Sequence, residues 1–298
     1  MCGIVGLFLK SEALQPELGR LTSLMLLEMR DRGPDSAGIA VYDQAGDKTK
    51  LTCLSKSGQT DWDAIIAKLA AETGDDYDVD VIEDHALILT NGDGSTSRNW
   101  LIENVPDVTV LAFGQSIELF KGIGDPENVA QQFGLKDRSG THAIAHTRMA
   151  TESAVTTAGS HPFSTGADTC LVHNGSLSNH NRLREALRKC GETFQTENDS
   201  EVAAGYFAWR MREGDNLETA VEHALKDLDG FFTFAIGTKD GFAVVRDPIA
   251  CKPAVIAETD DWVAMSSEFR AIARLPGVEH AEIWEPVPTK VYSWSHAA

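Results

Sequence analysis

A cysteine stands at the second position of this chain, in the stretch Met1-Cys2-Gly3-Ile4-Val5-Gly6. Removal of Met1 would make Cys2 the N-terminal residue, and a cysteine at that position carries a nucleophile and a base together. Its thiol can attack a carbonyl carbon, and its own α-amine, with a reference pKa of about 8, can accept the proton. The stretch is therefore compatible with nucleophilic catalysis by Cys2, provided that Met1 is removed. The alternative is a Met-Cys start that arose by chance.

Attack by a thiol on an amide needs rigid donors for the oxyanion that forms in the transition state. The sequence His173-Asn174-Gly175 follows an expected buried strand at 170–172. There the side-chain amide of Asn174 and the backbone N–H of Gly175 can both donate. The alternative is an ordinary Asn-Gly turn.

An α-amino acid substrate also needs a cation for its carboxylate and an anion for its ammonium group. Arg148 follows an expected strand at 143–145 and can bind a carboxylate through two parallel hydrogen bonds. Asp199 can accept the ammonium group. The alternatives are a structural salt bridge for Arg148 and a helix N-cap for Asp199.

The elements that must position these residues can be predicted from apolar periodicity. Apolar runs predict strands at 4–9, 37–42, 143–145 and 170–172. Spacings of three and four predict helices at 16–29, from Asn179 or Asn181 onward, from Asp199-Ser200 onward and from Asn216 onward. The residues from 231 to 294 predict strands in an antiparallel meander. Strands at both ends with helices between them predict an α+β fold.

The pattern of apolar and polar residues changes between about residues 51 and 113. There the pattern predicts a small inserted α+β lobe with the order βαββαβ. The acidic run at 75–84 is expected to be a solvated rim. The Gly-rich turn at 91–94 lacks the ending of a phosphate-binding loop.

Composition excludes several classes of function. The chain has 298 residues and a net charge of −19, which disfavours nucleic acid and anionic membranes as partners. The five cysteines form no Cys-x-x-Cys pair, so neither a metal site nor a disulfide framework is expected. The lack of a disulfide pattern indicates a reducing, cytoplasmic location. Neither a signal peptide nor a membrane span is expected. A metal hydrolase is disfavoured because its candidate ligands lie on separate elements without a ligand pattern, namely His142, His146, His161 and His173.

Several motifs, in this order, resemble the class II glutamine amidotransferase family of N-terminal-nucleophile hydrolases. They are Met1-Cys2-Gly3-Ile4-Val5-Gly6, Arg32-Gly33-Pro34-Asp35-Ser36-Ala37-Gly38, His146-Thr147-Arg148-Met149-Ala150-Thr151, His173-Asn174-Gly175, Asp199-Ser200-Glu201, Arg246-Asp247-Pro248 with Lys252-Pro253, and Ser266-Ser267-Glu268. The resemblance covers nearly the whole chain and implies one domain over residues 1–298 with a four-layer αββα fold.

The resemblance also implies roles for individual residues. Cys2 would be the nucleophile after loss of Met1, and Asn174 with Gly175 would form the oxyanion hole. Arg148 and Thr151 would bind the carboxylate of glutamine, and Gly175 and Asp199 would bind its amino group. Arg32 would support the loop that carries the nucleophile.

Three departures from the family pattern bear on activity. Met149 replaces an aromatic residue, Glu152-Ser153 replaces a His-Gly pair, and Ala250-Cys251 replaces a Gly-Ile/Leu pair. None of them removes a group that the reaction requires.

The resemblance is strongest to stand-alone amidotransferase subunits of glutamate synthase-like complexes, including N-methylglutamate synthase. It implies that L-glutamine is the substrate and that ammonia passes to partner synthase subunits of flavin-barrel and β-helix type. No cofactor is expected on this chain, and FMN and an iron–sulfur cluster would belong to those partners. Two alternatives remain open: a non-catalytic assembly or substrate-binding subunit, and an independent amide hydrolase.

Overall fold

The computed structural model of the chain describes residues 2–43, 46–149 and 155–296. Its strands are β1 (Gly3–Leu9), β2 (Ser36–Tyr42), β3 (Thr49–Ser55), β4 (Tyr77–Ile82), β5 (His85–Thr90), β6 (Val108–Gly114), β7 (Ile117–Ile123), β8 (His142–Arg148), β9 (Cys170–Leu177), β10 (Gly230–Thr238), β11 (Gly241–Arg246), β12 (Val255–Glu258), β13 (Trp262–Ser266), β14 (Glu282–Trp284) and β15 (Tyr292–Ser295).

The α-helices are α1 (Leu18–Glu28), α2 (Trp62–Thr73), α3 (Gly94–Asn104), α4 (Pro126–Gln132), α5 (His180–Lys189), α6 (Asp199–Arg212), α7 (Leu217–Asp227) and α8 (Phe269–Ile272). Short 3-10 segments occupy Glu12–Glu17, Arg30–Arg32, Leu135–Asp137 and Val278–His280. The helix expected over 16–29 therefore begins two residues late, because Pro16 lies in a 3-10 turn. Among the described residues, no helix is both long and apolar enough to cross a membrane.

Two antiparallel sheets stack face to face, and helices cover the outer side of each. The seven-stranded sheet has the order β14-β12-β13-β1-β8-β2-β7, and the four-stranded sheet has the order β15-β11-β10-β9. Helices α1, α4 and α8 pack on the larger sheet, and α5, α6 and α7 pack on the smaller one. The expected four-layer αββα fold is confirmed.

Strand β1 shows how the sequence specifies the two inner layers. Val5, Leu7 and Leu9 point to the helices of the outer layer, whereas Ile4 and Phe8 point to the facing sheet. Side chains alternate in this way in every strand, and complete burial of each one stabilises the fold by about 1.5–3 kcal/mol. Because β1 is central and buried on both faces, it holds residue 2 at a rigid strand end.

The strands after residue 230 do not form the expected meander. Strands β10, β11 and β15 belong to the four-stranded sheet, whereas β12, β13 and β14 belong to the seven-stranded sheet. The chain crosses between the sheets after β11. Asp247 stabilises this crossing by accepting hydrogen bonds from Phe232 N at 2.9 Å and Ile249 N at 2.8 Å. Apolar alternation does not reveal which of two stacked sheets a strand will join.

Residues 49–114 carry a third sheet, with the order β4-β5-β3-β6, and a separate apolar core under α2 and α3. The expected acidic rim contains strand β4, which pairs with β5. In β4, Tyr77 and Val79 pack on the core while Asp78 and Asp80 are exposed. The acidic side chains thus mark the solvent face of an edge strand, where charge discourages further strand pairing.

Candidate active site

Cys2 lies where the central strand β1 begins. Antiparallel pairing of Gly3 with Thr147 places Cys2 beside Arg148 at the end of β8. The thiol is half-buried, and Cys2 Sγ is 3.9 Å from the carbonyl oxygen of Met149. A Cβ atom on Gly3 would lie 2.9 Å from Thr147 Oγ1. The packing around this strand end therefore requires the smallest residue after Cys2.

Two side chains donate hydrogen bonds to the main-chain carbonyl of Cys2. Arg32 Nε lies 3.0 Å and Asn174 Nδ2 lies 3.2 Å from that oxygen. Arg32 is buried, and its Nη1 forms a 2.5 Å ion pair with Glu268, which also pairs with Arg270 at 2.8 Å. The hydrogen bond from Arg32 lowers the pKa of the Glu268 carboxyl. Arg32 is thus placed against the main chain of residue 2.

The side-chain amide of Asn174 has a defined orientation. Because the Cys2 carbonyl can only accept, the amide nitrogen faces it, and this nitrogen also lies 3.2 Å from Ser267 Oγ. The amide oxygen lies 3.0 Å from His146 Nε2, which must therefore donate. Burial lowers the pKa of His146 to about 3, so the ring is neutral near pH 7. His146 and Ser267 were not assigned a role from the sequence.

The expectation that Asn174 and Gly175 follow a strand is wrong, because both lie inside β9. Gly175 has a φ of 150°, and a Cβ there would lie 1.9 Å from the carbonyl oxygen of Phe231. No other residue fits that conformation and that close approach without strain. The ordinary-turn interpretation is therefore excluded.

Arg148 is the last residue of β8, and its side chain is buried. Its carbonyl oxygen accepts a hydrogen bond from Asp35 N at 3.1 Å. A Cβ on Gly33 would lie 2.5 Å from Arg148 N, so the segment 32–38 packs directly on this strand end. The predicted carboxylate-binding partner Thr151 lies outside the described residues.

The N-cap interpretation of Asp199 is wrong. Asn198 caps α6 by accepting a hydrogen bond from Ser200 N at 2.9 Å, and Asp199 is the first helical residue. Asp199 Oδ2 instead accepts from Leu177 N at 2.9 Å, and its Oδ1 lies 3.3 Å from Ser200 Oγ. The half-buried carboxylate is therefore fixed at the end of β9, three residues beyond Asn174.

Three buried histidines connect the neighbourhood of Asn174 with that of Asp199. The ring centroids of His146 and His161 are 4.2 Å apart, and those of His161 and His173 are 6.5 Å apart. His161 Nε2 and His173 Nδ1 lie 2.8 and 2.9 Å from Ser200 Oγ. The histidines lie on separate elements, as expected, yet these three converge. Across residues 2–43, 46–149 and 155–296, no cluster of His, Cys, Asp and Glu is arranged to hold a metal ion.

Comparisons with known proteins agree with this geometry. A model of the glutamine amidotransferase domain matches residues 146–274. The chain is 53% identical over 298 residues to the glutamine amidotransferase-like protein GlxB of Rhizobium meliloti (strain 1021), covering 99% of both chains.

Two solved structures share the fold at 22% sequence identity. The structure of the allosteric regulatory enzyme of purine biosynthesis aligns with a TM-score of 0.64 over 99% of this chain and 47% of that one. Glutamine phosphoribosylpyrophosphate amidotransferase from B. subtilis, complexed with ADP and GMP, aligns with a TM-score of 0.60 over 99% of this chain and 49% of that one. This chain spans about half the length of these two proteins. The motifs, the four-layer fold and the full-length relative together show that this chain belongs to the class II glutamine amidotransferase family.

Proposed function

We propose that this chain hydrolyses L-glutamine to glutamate and ammonia through a thioester on Cys2, after removal of Met1. One observation carries the proposal: the amide nitrogen of Asn174 and the guanidinium of Arg32 both bind the carbonyl of Cys2. These two hydrogen bonds hold residue 2 in place, and they leave the side-chain amide of Asn174 beside it. Family membership supplies the reaction class.

The first half of the reaction forms the thioester. The thiol proton moves to the α-amine of Cys2, and Sγ forms a bond to the side-chain amide carbon of glutamine. Negative charge then collects on the former amide oxygen, where the Gly175 N–H donates a hydrogen bond and Asn174 Nδ2 donates a second in place of its bond to Ser267 Oγ. The amine returns the proton to the leaving nitrogen, the C–N bond breaks, and ammonia departs.

The second half restores the enzyme. A water molecule gives a proton to the same amine and attacks the thioester carbon, and the C–S bond breaks to release glutamate. Arg148 and Thr151 would bind the α-carboxylate of the substrate, and Asp199 and Gly175 its amino group. Because β8 and β9 fix Arg148 and Gly175, the substrate would meet a largely preformed site.

We also propose that the ammonia passes to a partner synthase subunit of a glutamate synthase-like complex, which includes the N-methylglutamate synthase type. FMN and an iron–sulfur cluster would belong to that partner. Exposed apolar side chains support a partner surface close to residue 2: Met149 is 38% exposed, Phe231 37% and Phe269 42%. The main-chain carbonyl of Met149 lies 3.9 Å from the thiol, and that of Phe231 lies against Gly175. Phe269 directly follows Glu268, which pairs with Arg32.

Two measurements on the purified chain test the hydrolytic function. Mass spectrometry should show loss of Met1, and ammonia should be released from glutamine. Cys2→Ala should abolish this release, whereas Cys190→Ala, which removes an exposed thiol, should not. Retention of Met1 or full activity in Cys2→Ala would contradict the mechanism.

The partner is tested by co-purification from cells that also express candidate flavin-barrel and β-helix chains. The complete complex should lose glutamine-dependent synthesis when Cys2 is replaced by Ala, and it should regain synthesis when ammonia is supplied. Unchanged glutamine-dependent synthesis in that variant would favour a non-catalytic subunit. Activity on other amides, with none on glutamine in the complex, would favour an independent hydrolase.

A further inference from the structure

A cleft of about 720 Å³ separates the inserted lobe, residues 49–114, from the four-layer sandwich. One wall is α3 of the lobe, and the opposite walls are loops 165–169 and 191–193, helix α6 and the turn between β10 and β11. This volume falls within the range of about 300–1,000 Å³ that is typical of small-molecule sites. The cleft contains none of the residues of the candidate active site.

A cation on each side of the cleft lacks a carboxylate partner within the part of the chain that the structure describes. Arg98 on α3 is half-buried and binds only neutral groups: its Nη2 lies 3.3 Å from Thr193 Oγ1, and its guanidinium stacks 5.5 Å from the centre of the Phe113 ring. Burial lowers the pKa of Arg98, and the charges of Glu192 and Glu201 partly oppose this shift. On the opposite side, Lys239 Nζ lies 3.3 Å from Gln115 Oε1.

The carboxylates deep in the cleft already have partners. Asp168 accepts hydrogen bonds from three successive backbone N–H groups, with distances of 2.8–3.0 Å at Ser116 and Ile117. Glu192 pairs with Arg212. Glu103 and Asp240 also line the cleft, but both are exposed at its rim, where water screens them. Arg98 and Lys239 are therefore the two lining cations that form no ion pair with a carboxylate among the described residues, in a protein with a net charge of −19.

Two further features of the lining indicate a ligand with a polar group and an apolar body. Thr165 is 7% exposed, and its hydroxyl has no hydrogen-bond partner in the described part of the chain. Buried hydroxyls normally have a partner, because leaving one unsatisfied costs about 1–3 kcal/mol. Phe113, Ala208 and Met211 supply apolar surface in the same cleft.

The segment 192–199 connects this cleft with the candidate active site. It begins at Glu192 and Thr193 in the cleft wall and ends at Asp199. In its middle, the side-chain amide of Gln195 pairs with both backbone groups of Val110 on β6, at 3.1 and 2.8 Å. Glu201 of α6 accepts from Gln195 N and Thr196 N, both at 2.8 Å. The segment is therefore bound to the lobe on one side and to α6 on the other.

We infer that the cleft binds a small organic molecule carrying at least two anionic groups, carboxylate or phosphate, and that its occupancy strengthens glutamine binding through the segment 192–199. One anionic group binds Arg98 on the lobe, and the other binds Lys239 on the sandwich. A ligand that joins the two walls holds Thr193, and thus the segment, in the arrangement that fixes Asp199. The second half of this inference rests on the proposed function, because it assigns Asp199 to the amino group of glutamine.

Isothermal titration calorimetry with citrate and with inorganic pyrophosphate tests the first half and distinguishes carboxylate from phosphate. At least one of them should bind with a Kd below about 1 mM. Arg98→Gln should weaken binding at least about tenfold. Lys68→Gln, which makes the same charge change on an exposed face of the lobe, should leave binding unchanged. Absence of binding by both probes, or equal binding by Arg98→Gln, would overturn the inference.

Steady-state ammonia release tests the coupling. The probe that binds should lower the KM for glutamine about fivefold or more and leave kcat nearly unchanged, because typical coupling free energies correspond to factors of about 5–150. Gln195→Met removes the two bonds to Val110, so it should abolish the change in KM while the probe still binds. An anion that binds without changing KM would overturn the coupling. A chain that binds the anion but releases no ammonia would instead refute the proposed function.

Discussion

Replacement of His146 by Leu tests whether the orientation of the Asn174 amide governs catalysis. Among the described residues, His146 forms no hydrogen bond with Cys2. Its Nε2 instead donates to the side-chain oxygen of Asn174 at 3.0 Å. In the proposed mechanism it is therefore a positioning residue, which acts through Asn174. Leucine has a similar volume and cannot donate, so the substitution removes the donor without opening a large cavity.

The magnitude follows from the burial of Asn174, which is 5% exposed. Without the donor, its amide oxygen is buried and unsatisfied, a penalty of about 1–3 kcal/mol. The amide can escape this penalty by turning its oxygen elsewhere, which also turns its nitrogen away from the oxyanion. Restoring the catalytic orientation then costs the same 1–3 kcal/mol, or about 5- to 150-fold in kcat. Direct removal in Asn174→Ala should cost about 100- to 1,000-fold.

The assay is ammonia release at saturating and at limiting glutamine. His146→Leu should lower kcat within the stated range and leave KM nearly unchanged, because Arg148 and Asp199 are intact. His146→Gln, which keeps a side-chain N–H donor, should recover part of the loss. In an Asn174→Ala background, His146→Leu should cost little more, since both changes remove one interaction. Additive losses in the double variant, or a wild-type kcat in His146→Leu, would refute the reasoning.

Three further predictions concern stability and assembly. Burial lowers the pKa of His142 to about 3, whereas the unfolded chain binds this proton at about pH 6.5. As the pH is lowered further, the free energy of unfolding therefore decreases, with a limiting slope of about 1.4 kcal/mol per pH unit. Urea denaturation between about pH 4 and pH 5.5 should show a slope shallower by that amount in His142→Gln. Gly175→Ala should abolish ammonia release and lower the urea concentration at the midpoint of denaturation. A Cβ on Gly191 would meet open space, so Gly191→Ala should preserve ammonia release and lower the midpoint by a smaller amount. Phe231→Asp and Phe269→Asp should each abolish co-purification with synthase subunits while preserving ammonia release by the isolated chain, and unaffected co-purification would exclude this surface.

Much of the fold could be predicted because it depends on local patterns. The strands that carry Arg148 and Asn174 contain apolar runs at 143–145 and 170–172, and such runs are typical of strands buried on both faces. The helix from Asn216 onward was correctly located because an N-cap is a contact within one turn. The division of the last strands between two sheets was not predictable, because both sheets bury the same kinds of side chains.

Sequence motifs predicted which residues surround Cys2. They did not predict the contacts between these residues, because the contacts join segments that are far apart in the sequence. Ser267 binds both the backbone of Ile4 and the amide of Asn174, although these residues are far apart in sequence. The sequence contains Ser267-Glu268 as a recognisable signature, but it holds no indication that the carboxylate would pair with Arg32. The register of the larger sheet decides that pairing, and register is set by the whole strand.

The two stacked sheets contribute different halves of the candidate site. Cys2 and Arg148 lie on the larger sheet, whereas Asn174 and Asp199 lie on the smaller sheet and the helix that covers it. Asn174 joins the halves through its hydrogen bonds to Cys2, His146 and Ser267. The distance between the proposed nucleophile and the proposed oxyanion donor is therefore set by the packing between the sheets. Because packed interiors deform little, the αββα arrangement can hold the donor in position before the substrate arrives.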